Sequence, residues 1–405
     1  MSPKGGMLLF LQHRLYIAVA VAACLILYVS NVLFFRGLAL APRHLQKADR
    51  VKHPANETLG FGAIIAVGRN NSTRRDDLVY AANITSLSID FPSQPKWTEE
   101  SISNFRDPQD PDGKNITRGA IYAWMGHLNA LRWFLAHPEL ETAFIIEDDV
   151  DWDVALRTTQ IPLTSRAFAH FMGTADPTSP SLFHSRLADH YWSDLNKWDV
   201  LWLGHCGDFF GIQEQEGMRR TVFEDPTMPE HESLDFYLQM HFNTVNFPKP
   251  KKRMIHETRL SLCTFGYGVT RASAQMMLKR YSQQHPSLVT WAWDVMVRLA
   301  CTKEGFRCFT VNPELMRHIE GPSAVSLEDH KEEKAKSNIT PNLRCAARRS
   351  EWRTWHWGLW EWAKHRIELR GDKECLADLL GAGDVKWPSP KEIGDENWQG
   401  TKEVS

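Results

Sequence analysis

Short apolar runs alternate with helically spaced apolar residues between residues 60 and 320, an alternation expected of an α/β domain. Phe61 to Val67 reads as a first strand, followed by a basic turn through Gly68, Arg69, Arg74 and Arg75. Leu87 to Phe91 alternates apolar with polar and predicts a second strand, whereas residues 92 to 118 carry Pro, Gly and Asp and read as a long loop. Ile121, Trp124, Met125, Leu128, Leu131 and Leu135 recur at helical spacing. Ala143 to Ile146 predicts another strand, and so does Val200 to Leu203, which breaks at Gly204-His205-Cys206-Gly207. Residues 211 to 256 are polar and irregular, as in a loop or lid. Leu262 to Val269 then reads as a strand, Ala272 to Tyr281 and Trp291 to Cys301 as helices, and Arg307 to Val311 as a strand ending at Pro313. The expected architecture is one α/β domain over residues 59–325 with a mainly parallel, mixed sheet. Residues 326–405 form a C-terminal extension with a charged run, Glu328 to Lys336, and five tryptophans between Trp352 and Trp362. Helical spacing puts Trp352, Trp355 and Trp362 near one face, which suggests packing.

Leu15 to Phe35 is apolar except for Ser30 and Asn31, and its 21 residues suffice for a membrane-spanning helix, which takes about 20. Ala39-Leu40-Ala41 resembles a signal-peptide cleavage site, but Pro42 would follow the cut and the run is long for a signal core. An uncleaved signal anchor is preferred, with residues 1–14 as a cytoplasmic tail and 36–58 as a stem. Counting Lys and Arg on each side would put the C-terminal part in the cytoplasm. Six Asn-x-Ser/Thr sequons, at Asn56, Asn70, Asn71, Asn83, Asn115 and Asn338, argue for the lumen instead. Outside the apolar run the cysteines form an even set, Cys206, Cys263, Cys301, Cys308, Cys345 and Cys375, which suits an oxidising compartment. Cys301 with Cys308 is the easiest local pair. The resulting expectation is a single-pass type II protein of the Golgi or endoplasmic reticulum membrane.

Composition narrows the chemistry. A net charge of −2 with 24 % charged residues leaves no basic surface for nucleic acid. The strand Ala143–Ile146 runs straight into Glu147, Asp148, Asp149, Asp151 and Asp153. Carboxylates crowd together only at a cost unless a cation or proton sits among them. Such oxygen ligands suit Mg²⁺ or Mn²⁺, which in turn suit a diphosphate. An acidic surface turn is the ordinary alternative. Glu147 and Asp149, two apart, would project to one side if the strand continued. Arg69, Arg74 and Arg75 follow the first strand, where guanidinium forks could meet phosphates. His127 borders the apolar face of its helix, a position more typical of a core histidine. His205 sits at a strand end. Asp294 lies near a helix start, where the macrodipole favours an acid, and is also the candidate general base. His318 could close a metal shell or be structural.

Several segments, taken in order, resemble glycosyltransferase family 25, the lipopolysaccharide and collagen galactosyltransferase-like enzymes, in their divergent fungal form. They are Ile64 to Arg69 with Arg74-Arg75-Asp76, Gly119 to His127, Phe144 to Trp152, Trp198 to Gly207, and Thr264 to Val269. The resemblance implies a GT-A-like fold, a UDP-hexose donor, a divalent metal and inversion at the anomeric carbon. It matches Glu147 and Asp149 to the ends of the family's acidic motif. The sequence departs from the family where Asn70 to Thr73 stretch the arginine turn and where Gly126 replaces a serine. In the expected site Asp149, Glu147 and His318 hold the metal, while Arg69, Arg75, Asp148 and His127 join Glu147 in binding the donor. Asp294 takes the proton of a glycan, glycoprotein or glycolipid hydroxyl. A glycoside hydrolase and a non-catalytic membrane-anchored lectin or scaffold are the rivals.

Overall fold

The structure, a computed structural model, describes residues 55–108, 116–173, 191–247, 251–284, 292–319 and 340–348. The predicted tail, the membrane span, most of the stem, the Glu328–Lys336 run, the tryptophan-rich stretch, Asn115, Asn338 and Cys375 lie outside the described residues. No helix among the described residues is long and apolar enough to cross a membrane. Asn56, Asn70, Asn71 and Asn83 are all exposed.

The strands are β1 (Ala63–Val67), β2 (Thr142–Glu147), β3 (Val150–Trp152), β4 (Val200–Gly204), β5 (Arg220–Glu224), β6 (Lys252–Glu257), β7 (Gly266–Thr270), β8 (Cys308–Asn312) and β9 (Met316–His318). The helices are α1 (Arg74–Thr85), α2 (Glu99–Phe105), α3 (Arg118–Ala136), α4 (Ile161–Phe171), α5 (Phe236–Thr244), α6 (Arg271–Tyr281) and α7 (Trp293–Lys303). One sheet runs β1-β2-β7-β4-β8-β6-β5, with β9 joining β3 to β4. β1 pairs with β2, and β4 with β8, in parallel. β7 is inserted antiparallel between β2 and β4, and β5 and β6 extend the far edge antiparallel.

The sheet is therefore mixed rather than mainly parallel. An apolar run reports burial on both faces and carries no information on strand direction. The carboxyl ends of β1, β2, β4, β5 and β8 nevertheless emerge on one side. Alternation along the central strands feeds two cores. Ile64, Ala66, Phe144, Ile146, Leu201 and Leu203 face Leu78, Ala81 and Phe168 of α1 and α4. Ile65, Val67, Ala143, Ile145, Val200 and Trp202 face Leu128 and Leu131 of α3, Met277 of α6 and Met296 of α7. The result is a three-layer α/β/α unit.

Three expectations change. Leu87 to Phe91 forms only an isolated bridge, Ile65↔Asp90, beside β1. The long loop contains α2, whose Thr98 and Ser101 close a capping box. Residues 211 to 256 are no lid: β5 and β6 pair in register, and α5 between them buries Leu238 and Phe242 in a third core with Val222 and Met254. Two disulfides are present, Cys206–Cys263 and the anticipated Cys301–Cys308; Cys345 is disulfide-bonded as well.

Candidate functional site

β2 ends at Glu147, and Asp148 with Asp149 turns the chain into β3. The strand does not continue, so the extended geometry expected to align Glu147 with Asp149 ends at Glu147. Asp151 and Asp153 point into the protein and are almost fully buried. Asp151 accepts hydrogen bonds from Trp152 N (2.8 Å), Thr340 Oγ1 (2.8 Å) and Arg348 N (3.1 Å), and burial pushes its carboxyl up to about 6. Asp153 accepts from Ala155 N and Cys345 N. Both hold the backbone together. Residues 340–348, assigned from sequence to an extension, thus belong to the same unit.

The turn itself is tightly placed. Asp148 N donates to Val67 O at 2.9 Å. A Cβ on Gly68 would lie 2.3 Å from Asp148 Oδ2, so only glycine lets the two strand ends approach. Gly126 has a similar origin: a Cβ there would meet Val67 Cγ1 at 2.9 Å, where α3 crosses β1. Arg348 braces the turn from below, donating to Asp148 O (2.9 Å), Val150 O (3.0 Å) and Arg74 O (3.1 Å).

Asp149 is perturbed as well. Arg74 Nη1 donates to Asp149 Oδ2 at 2.7 Å and lies 3.7 Å from Asp148 Oδ1. Asp149 Oδ1 is buried and accepts no hydrogen bond. Burial, and then the charge of Glu147, push the Asp149 carboxyl up to about 6 against the pull of Arg74. Glu147 goes the other way. Its side chain is one-third exposed (33 %) and burial opposes its charge, but the His127 ring and the Thr264 hydroxyl outweigh that and hold it below the usual glutamate value.

His127 is 2 % exposed and stacked on Trp293. Trp293 Nε1 can only donate, and it meets Tyr267 Oη at 3.1 Å. Tyr267 Oη also lies 3.1 Å from His127 Nδ1. His127 Nε2 faces Thr264 Oγ1 and Glu147 Oε1, both at 3.4 Å. Tyr267→Phe should cost about 1–3 kcal/mol by leaving the buried His127 Nδ1 unpaired. Urea denaturation reads the loss; an unmoved midpoint would mean that the Tyr267 hydroxyl does not satisfy the ring.

The other predicted residues are placed as follows. His205 is fully buried, accepts from Gly207 N and faces Val311 O, a satisfied structural histidine. Asp294 accepts from Cys263 N (2.9 Å) and Val295 N (2.8 Å) at the start of α7. It fixes the Cys263–Thr264 segment that reaches Glu147. Cys263 adopts φ +64° and is tied by its disulfide to Cys206, 57 residues away. Replacing both cysteines by serine should lower stability by about 2–4 kcal/mol, read as a shifted urea midpoint; an unmoved midpoint would mean that the link constrains nothing. Arg75 stacks on Phe91, with Cζ 4.2 Å from the ring centre, and Arg69 is exposed. Both line a small open cleft with Gly68, Asn70, Phe91 and Asp148.

His318 pairs with Val150 across β9 and β3, packs against Phe265, and has Nδ1 2.9 Å from Ile319 O. Its ring lies close enough to both Glu147 and Asp149 to favour their ionised forms. The expected metal shell of Asp149, Glu147 and His318 is not assembled, because Glu147 is turned to His127 and Thr264 while Arg74 occupies Asp149. Among the described residues no group of three His, Cys, Asp or Glu side chains is arranged to hold a metal ion. The unpartnered Asp149 Oδ1 and its carboxylate neighbours still suit Mg²⁺ or Mn²⁺, which is commonly held by one or two carboxylates with substrate phosphates completing the shell. Arg74 was expected beside phosphates and is found on Asp149 instead, whereas Arg348 was not among the expected site residues. The first was visible as a basic turn; the second lies 200 residues from Asp148 and gave no local signal.

No protein-family model and no curated protein matches this chain.

Proposed function

We propose that the chain is a metal-dependent, inverting glycosyltransferase with a GT-A-like arrangement of its α/β unit. It would move a hexose, galactose or glucose, from a UDP-sugar to a hydroxyl of a glycan, glycoprotein or glycolipid. The single observation that carries this is the Glu147-Asp148-Asp149 cluster at the carboxyl end of β2, beside the arginine turn after β1. In open α/β sheets that is where ligands bind. Mn²⁺ or Mg²⁺ would be held by Asp149, with phosphates and water completing its shell, and would supply charge neutralisation for the departing diphosphate.

The chain's own groups do the rest. Arg69 and Arg75 line the cleft beside Asp148 and present guanidinium forks to phosphate oxygens. His127, fixed by Tyr267 and Trp293, orients Glu147. Each Asp294 oxygen accepts one backbone N–H and retains a lone pair. Asp294 would accept the acceptor hydroxyl's proton as that oxygen attacks the sugar. The protein would be anchored in the Golgi or endoplasmic reticulum membrane by Leu15 to Phe35, with this unit in the lumen.

The full-length chain in detergent, given UDP-galactose or UDP-glucose with Mn²⁺, should release UDP slowly without acceptor. EDTA should stop the release and Mn²⁺ restore it. Metal-independent sugar release would favour a hydrolase, and no nucleotide binding with or without Mn²⁺ would refute the proposal.

A further inference from the structure

We propose that Arg74 is an exchangeable internal cation: it neutralises Asp149 until a divalent ion takes that carboxylate, and then turns to the donor diphosphate. The proposal deepens the transferase reading and rests on it.

The geometry separates Arg74 from its neighbours. Its Nη1 lies 2.7 Å from Asp149 Oδ2, yet the two side chains are 25 % and 21 % exposed. They form a half-buried charged contact at the edge of the site, and Asp149 Oδ1 beside it is buried without a hydrogen-bond partner. Arg253, by contrast, pairs with Asp225 at 1 % and 0 % exposure and has no way out. Arg75 is engaged with Phe91. The Arg74 main chain is also fixed, because its carbonyl accepts from Arg348 Nη2 at 3.1 Å and the residue opens α1. Exchange is therefore a movement of the side chain about an anchored Cα.

Charge decides the direction. A dication bound through Asp149 would face a guanidinium on the same carboxylate, and two cations that close repel strongly at the reduced dielectric of a half-buried site. A hard oxygen ligand prefers the dication, provided its remaining positions are filled by phosphates and water. The incoming diphosphate brings negative charge beside the displaced guanidinium, whose planar fork matches phosphate oxygens. Metal and donor thus enter together. Either one alone meets a site already neutralised or a cation already engaged.

Affinities of the full-length chain for Mn²⁺ alone, followed by electron paramagnetic resonance, and for UDP at saturating Mn²⁺, by calorimetry, test the exchange. Arg74→Gln should bind Mn²⁺ alone about tenfold more tightly than wild type and UDP about tenfold more weakly. Arg74→Lys, which keeps the charge and loses the fork, should leave Mn²⁺ affinity near wild type while still weakening UDP. Adding Asp149→Asn to Arg74→Gln should remove the Mn²⁺ gain. Mn²⁺ affinity unchanged or weaker in Arg74→Gln would overturn the exchange and leave the ion pair a structural brace. UDP bound by none of these proteins at any Mn²⁺ concentration would sink the transferase reading, and with it the diphosphate half of the proposal, whatever the Mn²⁺ comparison gives.

Discussion

Asp149→Asn should reduce sugar transfer by about 10³-fold or more, since several kcal/mol of charge stabilisation at the leaving diphosphate are lost with the metal ligand. The same substitution should make the protein more stable at neutral pH. The carboxyl is pushed up to about 6 from 3.8, because burial and the neighbouring acids oppose its charge. A carboxyl raised on folding costs nothing well below its unfolded value, where it is protonated in both states. The cost grows as pH rises from about 4 to 6 and is complete above that. The amide escapes it. Melting temperatures of the variant should thus exceed wild type at pH 8 and converge with it near pH 4. Lower stability at pH 8 would show that the Arg74 pair outweighs the burial of Asp149.

Arg253→Met should destabilise the protein by about 3–5 kcal/mol, because it strands a buried carboxylate. Arg253 donates to Asp225 Oδ2, and its Nη1 donates to Pro313 O (2.8 Å) and Glu314 O (2.9 Å). It therefore ties β6 to the turn that launches β9 and His318. The double variant Arg253→Met with Asp225→Leu should recover much of the loss, since neither charge then remains buried. Urea denaturation of the two variants reads the difference. A single variant within about 0.5 kcal/mol of wild type would mean that water reaches Asp225 and that the pair does not brace the turn.

Sequence pattern located the central strands because they are buried on both faces. Ala63–Val67, Thr142–Glu147, Val200–Gly204 and Cys308–Asn312 carry unbroken burial up to Glu147, and each was visible as an apolar run. The far edge was not visible. In β6 the apolar pair Met254-Ile255 is flanked by Lys252, Arg253 and His256, two of which are charged and one of which is buried through its ion pair. The helix Ile161–Phe171 is masked in the sequence pattern because its Thr164 and Ser165 are buried polar residues, satisfied by Gln160 O and Tyr191 O. At the site, the acidic turn, the arginine turn and His127 were legible as residues in series. What they contact was not. Arg348 arrives from 200 residues away, and the strand ends at Glu147 before the two-residue alternation can reach Asp149. Asp294 was legible both as a helix-start acid and as a candidate base; the first role is the one its hydrogen bonds display.

The most direct test is a crystal of the protein grown with UDP and Mn²⁺, examined by anomalous scattering at the manganese edge. A manganese peak should lie about 2.1 Å from an Asp149 oxygen, bridging to the diphosphate, with Arg74 moved off Oδ2. Density for UDP elsewhere, with no manganese at Asp149 and Arg74 still on its carboxylate, would contradict the assignment of this strand end as the donor site.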